Sequence, residues 1–108
     1  MESTNKPNLV DKEVIFGRMT YFVNWGIYYE DYWYKYNQVK IEYDKWDYSG
    51  VVDALVQYKY PIDKMQAVIN NYLLEPENEE YIRAFNEMQS WRKEAKEIAK
   101  QALEYELH

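Results

Sequence analysis

Cysteine is absent from this chain, and histidine occurs once, as the last residue, His108. Without a thiol there is no disulfide framework, thiolate nucleophile or Cys-based metal site. A lone terminal His cannot assemble a catalytic triad or a His-rich metal centre. Three Gly and three Pro are too few for a sandwich or barrel, which needs a turn about every ten residues. Long apolar runs are missing as well. The charge-free stretch from Met19 to Tyr29 contains Thr20 and Asn24 and is too short to cross a bilayer. The polar stretch Met1–Pro7 has no apolar signal core, so the expected compartment is the cytoplasm. Basic residues are outnumbered 13 to 19, and a net charge of −6 disfavours binding to phosphate backbones. The chain is therefore expected to act without catalysis, cofactor, metal, nucleic acid or membrane.

What the chain has in abundance is aromatic side chains. Fifteen of its twenty rings lie between Phe16 and Tyr60. Ile15, Met19, Phe22, Trp25, Tyr29, Tyr32, Tyr36, Val39, Tyr43 and Trp46 follow one another at alternating spacings of three and four. That spacing stacks residues on one helical face. It predicts a long helix from an Asp11 N-cap to about Trp46, after a loose tail over residues 1–10. Phe16, Val23, Ile27, Tyr34 and Ile41 form a second stripe on the same helix. A strand reading competes locally. Tyr32, Tyr34 and Tyr36 alternate, as do Val39, Ile41 and Tyr43, with Asn37-Gln38 as a weak turn between them.

The second half predicts three further helices. Ser49 is a candidate cap for a short helix over 51–59, which Pro61 ends. Asp63 and Gln66 form a capping box for the next, carrying Met65, Val68, Ile69, Tyr72 and Leu73. Asn78 caps the last, whose seam runs through Ala84, Met88, Trp91, Ala95, Ile98, Ala102 and Tyr105. The expected fold class is all-α, a single domain over 11–108. Its two long terminal helices run antiparallel, with two short ones between.

The stretch Asp63–Leu74, followed by Met88-Gln89-Ser90-Trp91-Arg92 and Ala95-Lys96, resembles small uncharacterised helical proteins of bacterial genomes and prophages. The resemblance implies a setting and no activity.

Four rings fall off the main seam: Tyr21, Tyr28, Trp33 and Tyr48. Exposed Tyr and Trp are common anchors of protein interfaces, so these four are the candidate contact residues. The expected role is a non-catalytic protein-interaction or assembly module that self-associates, as a homodimer, through aromatic helix faces. One alternative is a ligand pocket lined by Trp25, Tyr29 and Trp33. Another is an acidic inhibitor mimicking nucleic acid, drawing on Glu30-Asp31, Glu42/Asp44/Asp47 and Glu75–Glu80. The basic strip Arg92, Lys93, Lys96 and Lys100 reads as an exposed helix face.

Overall fold

The computed structural model describes residues 1–107, and it corrects the all-α expectation. The first half is a sheet. β1 (Glu2–Ser3), β2 (Val10–Ile15), β3 (Arg18–Glu30) and β4 (Trp33–Glu42) are antiparallel in the order β1-β4-β3-β2. A 3₁₀ turn at Tyr43–Lys45 leads into α1 (Tyr48–Lys59), α2 (Ile62–Leu74) and α3 (Glu79–Glu106). Of the two long terminal helices expected, only the C-terminal one exists. Residues 1–10 also contribute to the sheet, since β1 pairs with Tyr34 and Lys35.

Two tight turns build the β2–β3–β4 meander. Phe16-Gly17 and Asp31-Tyr32 each hold positive φ at both central residues, as type I′ turns require. Such turns match the right-handed twist of paired strands. Gly17 and Asp31 suit that backbone, whereas Phe16 (φ 50°) and Tyr32 (φ 69°) do not. The weak turn at Asn37-Gln38 is not used. Both residues sit inside β4, opposite Trp25 and Asn24.

The helical spacing misleads because β3 lacks a clean polar face. Val23, Asn24 and Trp25 are buried in succession. Toward the helices, Val23, Trp25, Val39 and Ile41 join Val51, Leu55, Trp91 and Ala95 in one core. The connection 4–9 crosses the other face on its way from the β4 edge to the β3 edge. There the Asn24 Nδ2 donates to the Asn8 carbonyl (2.7 Å) and to Asp11 Oδ2 (2.9 Å), while its Oδ1 accepts from Gln38 Nε2 (2.9 Å). A strand covered on both sides reads as continuously apolar, and such a run satisfies a 3.6 period as readily as a period of two.

α3 is the spine of the helical layer. At 1.5 Å per residue its 28 residues span about 42 Å, enough for α1 and α2 to lie end to end along it. Tyr72 of α2 stacks on Phe85 (4.3 Å between centroids), and the Trp91 Nε1 donates to the Leu55 carbonyl of α1 (2.9 Å). Ala95, Ala99 and Ala102 are fully buried, and their small side chains let α3 approach its neighbours closely. Asn78 caps α3 through the amides of Glu80 and Tyr81. The other caps differ from expectation. Asp47, the residue directly before α1, caps it in place of Ser49 by accepting from Gly50 N (2.7 Å), and α2 starts at Pro61 with no side-chain cap. No helix is long and apolar enough to cross a membrane.

Candidate functional site

Gly26 divides the β3–β4 hairpin into two parts of different character. Its φ of +63° and the register shift between Trp25 and Tyr28 mark a β-bulge with one extra residue on β3. A Cβ at Gly26 would stand 2.9 Å from Asn37 Nδ2, so the close approach also demands glycine. Residues paired across strands share a face, so the bulge reverses the alternation of β3. Trp25, with Asn37 opposite, faces the helices; beyond the bulge Tyr28 and Glu30 take that side, level with Lys35 and Trp33.

α1 ends beside the bulge. Tyr58 meets the Trp25 ring edge-on at 4.9 Å and its hydroxyl reaches Asn37. Beyond that point the hairpin continues to its tip at Asp31-Tyr32 with its large rings in solvent. Exposure reaches 53% at Tyr28, 59% at Tyr29, 86% at Tyr32 and 43% at Trp33. On the face away from the helices Tyr29 and Tyr34 lean together, centroids 4.9 Å apart. This arm, residues 27–36, is the candidate site. Its acidic tip is tied down by Lys35, whose Nζ lies 3.2 Å from Glu30 and 4.0 Å from Asp31. The hydrogen bond to Glu30 raises the Lys35 pKa, partly opposed by desolvation.

The four off-seam rings do not converge. Tyr28 and Trp33 share the helix-side face of the arm, diagonal to each other across the strands. Tyr21 is half-buried, stacked flat on Trp46 at 4.1 Å against the core. Tyr48 opens α1, on the helical layer. The pocket trio separates too: Trp25 is core, while Tyr29 and Trp33 lie on opposite faces of the arm. The acidic groups occupy different corners, at the arm's tip, at the far end of β4 and at the α2–α3 turn. Among the described residues, no three acidic or imidazole side chains stand where they could hold a metal. Tyr32, placed on the buried seam by its spacing, is a functional candidate the sequence reading missed, and Tyr29, on the same seam, entered it only as a pocket-lining residue. The Asp-Tyr pair between alternating segments was the available signal.

β2 leaves an open edge. Asn24 N donates to the Leu9 carbonyl, so odd residues of β2 bond to β3 and the amides of Val10, Lys12 and Val14 point outward. Two-fold antiparallel pairing of this edge with a second copy preserves the sheet faces. The two longest registers then set Lys12 against Lys12 or Glu13 against Glu13. Like charges directly opposite are unfavourable, so the edge is guarded against self-pairing.

No protein-family model, curated protein or solved structure matches this chain.

Proposed function

We propose that the protein is a non-catalytic interaction module that docks on another protein through the β3–β4 arm. One observation carries this reading: an arm that no helix covers, flanked by β1 only along Tyr34 and Lys35, presents Tyr28, Tyr29, Tyr32 and Trp33 to solvent. Isolated exposed rings are ordinary, but rings grouped on one projection resemble the aromatic clusters at the centres of interfaces. The tip supports the reading. Tyr32 holds a left-handed backbone that costs of order 1 kcal/mol, although Gly or Asn would hold it more easily. A ring retained at that cost and left exposed contributes little to the fold. The partner has an apolar seat for the rings and cationic groups beside Glu30 and Asp31.

The test compares association with folding. Material captured from the native host on wild-type protein is purified and titrated against wild type, Trp33→Ala and Tyr28→Ala. Each substitution should weaken binding by about 2 kcal/mol or more with little change in melting temperature. Unchanged binding refutes the arm, and an unfolded Trp33→Ala makes Trp33 a core residue. Sedimentation of the isolated protein distinguishes a second copy from a different partner.

A further inference from the structure

α1, α2 and the middle of α3 enclose a cleft of about 280 Å³, remote from the arm. Val52, Val56 and Met65 supply apolar lining, and Tyr48, Arg92 and Lys96 line it as well. The two cations are distinctive within their strip. Lys93 has Glu97 one turn on, and Lys100 has Glu104. Arg92 and Lys96 have no acidic residue three or four positions away and instead face each other at i,i+4, a repulsive pairing. Among the described residues neither forms an ion pair, and the Arg92 guanidinium reaches only the Gln89 side chain (3.3 Å). The one carboxylate lining the cleft, Asp53, accepts from the Gln57 amide (2.9 Å).

We propose that this cleft binds a small organic anion, a phosphate or carboxylate joined to a flat apolar body. The anionic group lies between Arg92 and Lys96, where two like charges gain a common counter-charge. The apolar body lies on Val52, Val56 and Met65, with the Tyr48 ring across the opening. The guanidinium fork suits two oxygens of one phosphate or carboxylate, and the lysine adds a point charge. This site is independent of the docking arm. It also gives Tyr48 a role that the arm does not.

Phenyl phosphate is a suitable probe, followed by amide chemical shifts in the ¹⁵N-labelled protein. Saturable shifts should centre on Tyr48, Val52, Met65 and Arg92. Arg92→Gln and Lys96→Gln should each weaken binding by about tenfold, and Arg92→Lys, which keeps the charge but loses the fork, should fall between wild type and Arg92→Gln. Trp33→Ala should bind the probe like wild type, which separates this site from the arm. Inorganic phosphate and phenol, each lacking half of the ligand, should bind much more weakly. The proposal is overturned by absent saturation at about 10 mM probe, by equal affinity in a folded Arg92→Gln/Lys96→Gln double variant, or by inorganic phosphate binding as well as phenyl phosphate.

Discussion

The same two strands serve as core on one side of Gly26 and as bare surface on the other. Before the bulge, Val23 and Trp25 with Val39 and Ile41 are sealed by α1 and α3, and the 4–9 connection covers the reverse face. After it, Tyr28, Tyr29, Tyr32 and Trp33 have comparable apolar bulk and no cover. Ring content is therefore not what decides burial here. The reach of α1 decides it, because that helix stops at Lys59 beside the bulge, just before Tyr60-Pro61 redirects the chain.

Paired substitutions across the bulge can break this contrast. Trp25→Ala removes a ring held by Tyr58 and Trp91 and should cost about 3–5 kcal/mol in chemical denaturation. If Trp33→Ala costs as much, the arm is core and the division at Gly26 is false. Asn24→Asp tests the covered reverse face. It replaces two donated hydrogen bonds with a carboxylate beside Asp11, at a cost of about 3 kcal/mol at neutral pH. Acidification that protonates the pair should recover part of that loss. A neutral result would mean that the 4–9 connection does not seal the sheet.

Tyr32→Gly sharpens the contrast from the other side. Relief of the left-handed backbone should raise stability by up to about 1 kcal/mol while weakening partner binding. A loss of stability would assign the ring to the fold. The smallest effect concerns Tyr60. Burial first, and Glu87 second, raise the pKa of its phenol above the ordinary value. The folded protein thus holds this proton more tightly than the unfolded chain. That contribution is intact below pH about 10 and is lost as pH climbs through the raised value. Tyr60→Phe should flatten the alkaline limb of a stability–pH curve, leaving the limb below neutrality unchanged.

The helical half was legible because one face of each helix is wet. Glu79, Arg83 and Glu87 punctuate Tyr81, Ala84 and Met88, so the 3.6 period and the Asn78 cap stand out. The sheet half was not, for three separable reasons. Burial on both faces around Asn24 erased alternation, and the bulge at Gly26 reversed the phase of what remained. The turns used Phe16-Gly17 and Asp31-Tyr32 in place of Asn-Gly. An isolated Gly among Val, Ile, Tyr and Trp is itself a strand signal, and Gly26 was the residue to weigh. Of the candidate site, Tyr28 and Trp33 were identified as off-seam rings. A helical register placed Tyr29 and Tyr32 on a buried stripe, so Tyr32 was hidden and Tyr29 surfaced only as a pocket-lining candidate.

The position of α3 as the spine has a consequence for the order in which the chain is made. The sheet is complete once Glu42 has been synthesised, but Trp91, Ala95, Ile98, Ala99 and Ala102, which close its helix-side core, come about fifty residues or more later. At roughly 5–20 residues per second, Val23, Trp25, Val39 and Ile41 have at most α1 over them for several seconds during translation. A β2 edge that sets like charges against each other protects the chain most in that interval, when neighbouring copies on one message carry the same unfinished sheet.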